Sequence, residues 1–183
     1  MAKLDYKQFE DYVFSLVHAI PYYIYEGIAS IFCLGLVVFI AWKGFKTGLR
    51  YSAVLLLIEY IFLIFCSTVI FRPTGETRQY NFHPFWSYNR PELLAENIMN
   101  VVVFIPIGLL LGCAFKQMTW WKALLIGCSI SITVEALQFW FMKGFSEVDD
   151  VMHNTVGCFI GYGIFLIGRY GYERLFTWSI YDV

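Results

Sequence analysis

Carboxylate- and amide-bearing residues lie within, or at the ends of, three of the most apolar stretches of this chain. A polar side chain in hydrocarbon is costly, and an ionisable one more so, so such groups are normally kept because they pair, bind or catalyse. The pattern therefore indicates a membrane protein with a polar site built into its helices. The three groups are Asn97 and Asn100 before FIPIGLLLG, Glu135 and Gln138 within SISITVEALQFWF, and Asp149, Asp150 and Asn154 in EVDDVMHNTVG.

Three chemistries fit these side chains. Carboxylates and amides together are suitable oxygen ligands for a divalent cation. An arginine above them could hold a phosphate or carboxylate through paired hydrogen bonds. A buried Glu135 could serve as a general acid or base. A purely structural interpretation also remains open, because Glu135 and Gln138 could join helices by hydrogen bonds and Asp149 could cap the N-terminus of a helix.

The composition excludes an ordinary soluble domain, since 59% of the residues are hydrophobic and only 15% are charged. The net charge of −1 is too small for a nucleic-acid-binding surface. The cysteines lie singly within apolar runs and form no CxxC motif, so we expect free thiols. We expect a single domain from the length, with no metal site and no cofactor.

Five apolar segments approach the roughly 20 residues that a helix needs to cross the hydrocarbon core. The predicted fold class is therefore all-α, a polytopic transmembrane helix bundle. Upstream, FEDYVFSLVHAI places its apolar residues on one helical face, which predicts an N-terminal helix lying at the membrane interface. The predicted spans run from about Tyr22 to Trp42, Tyr51 to Phe71, Asn97 to Phe115, Trp120 to Phe141, and His153 to Tyr170.

Basic residues near the ends of the spans predict the orientation. With five spans, the loop after the first span, the loop after the third and the C-terminal tail fall on one side, and each carries lysine or arginine. The positive-inside rule assigns that side to the cytoplasm. The loops from Arg72 to Glu96 and from Lys143 to Met152 are then predicted to face outwards, with their arginines as possible site residues.

In this topology the polar groups converge at the outer ends of the last three spans. Glu135 and Gln138 share one helical face, as do Asp150 and Asn154. Glu135 would lie about two turns from the outer end, roughly 10 Å deep. We therefore expect one recess of carboxylates and amides, with Arg78 at its mouth.

Four motifs, in order, resemble those of VanZ-like membrane proteins. NVVVFIPIGLLL resembles the Asn-x-x-x-Phe-x-Pro-x-Gly segment of that family, and VEALQ its Glu-x-x-Gln helix. DDVMHNTVGCFIGY resembles its Asp-Asp-x-x-x-Asn-Thr-x-Gly segment, and RQYNFHPFW its arginine-bearing loop. The motifs span about residues 78–162 of what we expect to be one VanZ-like domain over residues 1–183. The resemblance implies functional roles for Arg78, Asn81, Pro84, Asn100, Pro106, Gly108, Glu135, Gln138, Asp150, Asn154 and Gly157.

The resemblance also implies a role in resistance to glycopeptide antibiotics of the teicoplanin type in Gram-positive bacteria, which act on cell-wall precursors outside the membrane. The leading hypothesis is a multi-pass protein of the cell membrane that binds an envelope lipid or a lipid-linked cell-wall precursor in its recess. The alternative is a membrane-embedded hydrolase or transferase acting on a lipid-linked substrate. A transporter is a third hypothesis, but no internal repeat supports it.

Overall fold

The structure, a computed structural model, describes residues 7, 10, 14, 18 and 20–181, with side chains described up to residue 174. Five of its helical segments are long and apolar enough to cross a membrane, which confirms the predicted all-α bundle. The predicted interfacial helix falls mainly on residues outside the described ones. The helices are α1 (Tyr22–Lys43), α2 (Phe45–Phe65), α3 (Leu94–Ala114), α4 (Trp120–Phe141) and α5 (Val148–Tyr181).

Several helix boundaries differ from the predicted spans. Only Gly44 separates α1 from α2, and its positive φ of 75° and its N–H bond to the carbonyl of Ile40 end α1 there. Lys46 and Arg50 therefore lie on α2 and not in a loop. At its other end, α2 continues into a π-helical turn, Cys66–Ile70. The fifth helix begins at Val148, so Asp149 and Asp150 lie in its first turn.

Glycines allow α3 and α5 to pack in close backbone contact. A Cβ atom on Gly108 would collide with the carbonyl oxygen of Cys158, and one on Gly157 would collide with that of Val101. Small residues of this kind allow close approach of helices in a membrane, where apolar burial alone does not drive association. We call this close backbone contact the α3–α5 seam. It fixes the relative depth of the polar residues on the two helices.

The first two helices form a hairpin, of which only α2 joins the packed core, through Leu57 and Ile64. No residue of α1 is buried within the described chain, and α1 packs mainly against α2. Glu59, on α2, is buried, and its carboxyl oxygens have no hydrogen-bond partner among the described residues. The polar site must therefore be built from the C-terminal end of α2 and from the three later helices.

A short parallel strand pair, which no motif in the sequence predicts, ties the connection between α2 and α3, residues 71–93, to the start of α5. Strand β1 (Gln79–Asn81) pairs with β2 (Phe145–Glu147), with Tyr80 opposite Ser146. Single 3₁₀ turns at Ser87–Asn89 and Pro91–Leu93 then lead into α3. This long connection is thereby held against one end of the bundle.

Candidate functional site

A cavity of about 280 Å³ lies between the C-terminal end of α2 and helices α3, α4 and α5. We call this cavity the recess. Its lining combines three carboxyl groups, three amide groups and a single guanidinium group, set among apolar side chains and two hydroxyls. These charged and amide-bearing residues are Arg72, Glu96, Asn100, Glu135, Gln138, Asp150 and Asn154.

Helical periodicity explains how each helix presents its polar residues to the recess. Glu96 and Asn100 lie one turn apart on α3, and Asp150 and Asn154 lie one turn apart on α5. Both α4 residues, Glu135 and Gln138, are buried although α4 is otherwise apolar in this region. The structure thus brings five of the predicted amide and carboxyl residues, from three helices, to one cavity, whereas Asn97 and Asp149 do not line it.

Hydrogen bonds between helices hold two of the amide side chains in place. Asn100 donates from Nδ2 to Oδ1 of Asp150 over 2.7 Å, linking α3 to α5. Asn154 donates from Nδ2 to the hydroxyl of Ser131 over 2.8 Å, linking α5 to α4. Since Asn100 and Asn154 are each anchored by one bond, their remaining polar atoms stay available to a ligand in the recess.

Glu135, Gln138 and Arg72 form a second network on the other wall. Oε2 of Glu135 accepts a hydrogen bond from the backbone N–H of Glu147 over 3.0 Å. With its amide oriented to satisfy both neighbours, Gln138 donates to Oε2 of Glu135 over 3.3 Å and accepts from Nη1 of Arg72 over 3.1 Å. Gln138 therefore bridges the cation and the carboxylate of this wall.

Residues just before β2 position Arg72. Lys143 donates from Nζ to the carbonyl oxygen of Arg72 over 2.9 Å. Gly144 adopts a φ of 126°, and a Cβ atom there would approach Cζ of the Arg72 guanidinium to 2.5 Å. A glycine at this position therefore leaves the space through which the arginine reaches the recess.

The charge balance of the recess limits what it can bind. Glu96, Glu135 and Asp150 supply three carboxyl groups, whereas Arg72 is the one cation in the lining. Within the described part of the chain, no three His, Cys, Asp or Glu side chains are placed to hold a metal ion together. The lining is therefore better suited to a ligand rich in hydrogen-bond donors than to an anion.

Asp149 lies outside the recess lining and holds the long connection. Its side chain is fully buried, at 0% exposure. Oδ1 accepts from the backbone N–H of Phe85 over 2.6 Å, and Oδ2 accepts from the N–H and the hydroxyl of Ser87, over 2.9 and 2.6 Å. The hydroxyl of Ser87 also accepts a bond from Asn97 over 3.2 Å. The first-turn position of Asp149 is thus used to fix the long connection onto α5.

Glu147 lies beside this contact, outside the membrane-crossing segments. Its Oε2 accepts from Nε1 of Trp86 over 2.9 Å. Burial raises the pKa of the Glu147 carboxyl above its ordinary value, and the negative charges of Glu96 and Asp149 raise it further, while the Trp86 bond acts in the opposite direction.

Two predicted site residues from the long connection do not line the recess. The guanidinium of Arg78 lies over the rings of Phe139 and Trp140, at 5.7 and 5.9 Å from their centroids. Asn81 lies at the end of β1, and its Oδ1 accepts the backbone N–H of His83 over 2.9 Å. The prediction of Arg78 at the mouth of the recess is corrected here, because Arg72 supplies the arginine.

From the sequence alone, Arg72 is one of the arginines of the predicted outer loops, and no motif singles it out. A signal was present, because Arg72 directly follows the apolar end of the second span and so lies close to the membrane boundary. Glu96 is the last residue of the predicted outer loop, one helical turn before Asn100. The residues that the structure adds to the site are thus those nearest the ends of the spans.

Comparison with known proteins agrees with the motifs. The chain is 36% identical over 93 residues to Protein VanZ of Enterococcus faecium, a match that covers 45% of this chain and 58% of that protein. No solved structure matches the chain. The sequence pattern of the VanZ/LLP1 family matches residues 53–169, which include every residue lining the recess. Because that match covers more than half of the chain, the protein belongs to the VanZ/LLP1 family.

Proposed function

We propose that this membrane protein contributes to resistance to glycopeptide and lipoglycopeptide antibiotics by binding the headgroup of an envelope lipid or cell-wall precursor in the recess. The observation that carries the proposal is the recess itself, a cavity of about 280 Å³ with charged and amide groups inside an apolar bundle. Polar groups at such a position are costly and are typical of binding sites.

The chemistry of the lining favours one class of headgroup. With three carboxyl groups and one arginine, the recess offers more acceptors than cationic donors. Sugar hydroxyls, peptide amides and ammonium groups would donate to these acceptors, and Arg72 would contact a carboxylate or phosphate of the same ligand. A precursor headgroup that carries both sugar and peptide fits this combination.

The proposal requires that the recess end of the bundle faces outwards, as the distribution of basic residues predicts. Exposed positions at the two ends make the test direct: Thr74 in the long connection and Gln117 between α3 and α4. In a background without native cysteines, Thr74→Cys should react with an impermeant thiol reagent on intact cells, and Gln117→Cys only after lysis. The reverse pattern would contradict the outward recess.

The functional test uses substitutions that remove charge while keeping shape. Glu135→Gln retains an oxygen to accept the Glu147 N–H, and Asp150→Asn retains one for Asn100. At matched membrane expression, we expect both variants to insert normally but to lose at least about tenfold of the protection against a lipoglycopeptide, because a ligand contact to a charged group is worth about 1.4 kcal/mol or more.

Glu76→Gln is the matched control, since Glu76 is an exposed carboxylate on the long connection between α2 and α3. It should keep full protection. Full protection in the Glu135 and Asp150 variants would instead support a purely structural role for these residues.

A membrane-embedded hydrolase or transferase remains the second candidate, because Glu135 and Asp150 line the same cavity as an arginine. Paired carboxyl groups near a cation can provide acid and base in one site. Purified protein incubated with a lipid-linked cell-wall precursor would separate the two: stoichiometric binding without product supports the binder, and turnover that Asp150→Asn abolishes supports the enzyme.

A further inference from the structure

A second polar cavity, of about 220 Å³, lies at the opposite end of the bundle from the recess. Three basic residues line it, one each from α2, the α3–α4 connection and α5: Arg50, Lys116 and Arg169. Cys113 and Phe165 form part of its apolar wall. We call it the basic cavity.

The two cavities are far apart. Along α3, about 21 Å at 1.5 Å per residue separate Asn100 in the recess from Ala114, which lies two residues before Lys116 of the basic cavity. The basic cavity lies at the end whose lysines and arginines predict a cytoplasmic location. It is therefore separate from the site to which the proposed function refers.

The cations of this cavity have little to neutralise them. Among the described residues, Arg50 and Lys116 have neither a hydrogen bond nor an ion pair from their side chains. Arg169 pairs with Glu173 at 3.4 Å, but both side chains are more than half exposed, at 56% and 62%, and exposed pairs of this kind are weak.

Two other basic side chains at this end of the bundle have partners within the protein. Lys43 lies 3.9 Å from the centroid of the Trp42 ring, and Lys122 donates to the carbonyl oxygen of Gln117 over 3.3 Å. In the basic cavity, by contrast, three cations converge on one concave site, and two of them are unpaired among the described residues.

We propose that the basic cavity binds the phosphate group of an anionic ligand, with the headgroup of an inner-leaflet phospholipid or a soluble phosphate as the two sources. Arginine guanidinium groups hold phosphate oxygens by paired hydrogen bonds, and lysine adds a further charge. Basic pockets between membrane helices on the cytoplasmic side are suited to anionic lipid headgroups. The volume is below the roughly 300–1,000 Å³ of sites for drug-sized ligands, so it fits a headgroup.

The test compares two triple variants of equal charge in the purified full-length protein. Arg50→Gln, Lys116→Gln and Arg169→Gln together empty the cavity of cations. Lys43→Gln, Lys122→Gln and Arg174→Gln remove the same charge from the same end while leaving the cavity lining intact. Thermal stability is followed by tryptophan fluorescence in detergent with added phosphatidylglycerol, phosphatidylcholine or inorganic phosphate.

We expect phosphatidylglycerol to raise the Tm of the wild type and of the control variant, and phosphatidylcholine to raise neither. Each lost cation should weaken the affinity for phosphatidylglycerol about fivefold. The cavity variant should therefore need about a hundredfold more phosphatidylglycerol for the same rise in Tm. Inorganic phosphate that reproduces the effect identifies a soluble ligand, whereas no effect of phosphate identifies the lipid.

A cavity variant that responds to phosphatidylglycerol as the control does would overturn the proposal, as would an equal effect of phosphatidylcholine. Should the triple variant fail to fold, Lys116→Gln alone decides the matter, because Lys116 is exposed and unpaired and its loss should not affect folding. An unchanged response in that variant would also overturn the proposal.

Discussion

The two ends of the bundle both collect charged residues, but they do so in opposite ways. At the recess end, hydrogen bonds join Asn100 to α5, Glu135 to β2 and Gln138 to Arg72. Asp149 fixes the long connection beside them. At the other end, Arg50 and Lys116 point cations into a cavity without such partners among the described residues. The protein itself thus holds most polar groups of the recess in place, whereas the proposed anionic ligand would balance the charge of the basic cavity.

This difference has a physical origin. The recess lies within the span of four helices, where an unpaired polar group is expensive, so most of its groups must be satisfied inside the protein. The basic cavity lies at the end of the helices, where water and headgroups can satisfy long cationic side chains. The contrast predicts that substitutions will affect folding most at the recess end and along the seam that joins the two ends.

The largest effect is expected from breaking the α3–α5 seam, on which both ends depend. Gly157→Leu would place a side chain against the carbonyl oxygen of Val101 and force the helices apart. We expect a loss of about 3 kcal/mol or more, enough to prevent recovery of monodisperse protein by size-exclusion chromatography. Gly163→Leu is the control, because Gly163 faces open space and should be tolerated. Equal recovery of the two variants would contradict the close packing.

A smaller effect, confined to the recess end, is expected from Asp149→Ala. The substitution leaves the backbone N–H groups of Phe85 and Ser87 without their acceptor, at a cost of about 2 kcal/mol. The long connection should then open locally, so that protease cleaves after Arg78 or Arg90 faster than in the wild type while the helices stay intact. Unchanged cleavage would show that the strand pair alone holds the connection.

The independence of the two ends can be tested by measuring antibiotic protection in the basic-cavity variant and the lipid response in a recess variant. Sites more than about 10 Å apart without shared partners normally act independently. We therefore expect the cavity triple variant to keep antibiotic protection within about twofold of the wild type. Conversely, Asp150→Asn should leave the response to phosphatidylglycerol unchanged. Loss of both properties in either variant would show that the two ends are coupled through the bundle.

The smallest effect is expected at Glu147. Because burial raises its pKa in the folded state, the charged form opposes folding at neutral pH, and this penalty disappears as the pH falls through the folded pKa. Glu147→Gln keeps an acceptor for Trp86 and removes the charge, so it should raise the Tm at pH 7.5 by about 1–2 °C. At pH 4 the variant and the wild type should have the same Tm. A gain that persists at pH 4 would exclude the charge as its cause.

Most of the helical framework and much of the recess could be predicted from the sequence. Asn100, Glu135, Gln138, Asp150 and Asn154 share helical faces at matching depths, and all of them line the cavity. The prediction succeeded for these residues because a regular helix fixes which side chains share a face. Whether they bind a ligand stays a prediction.

The errors lie where the backbone is irregular. Arg78 was expected at the recess mouth, but its guanidinium lies over the rings of Phe139 and Trp140, and Arg72 lines the recess instead. The strand pair that sets this arrangement joins residues 79–81 to residues 145–147, and no local pattern in such short segments reveals their partner.

The sequence by itself determined that the chain forms helices long and apolar enough to cross a membrane and that certain polar residues share a face, because hydropathy, segment length and the helical repeat are local properties. Only the tertiary structure decided that Asp149 clamps the long connection and that Arg72 reaches the recess. It also decided that three cations distant in the sequence share one cavity. These features depend on how the helices pack and how the connection folds back, and they arise from contacts between residues far apart in the chain.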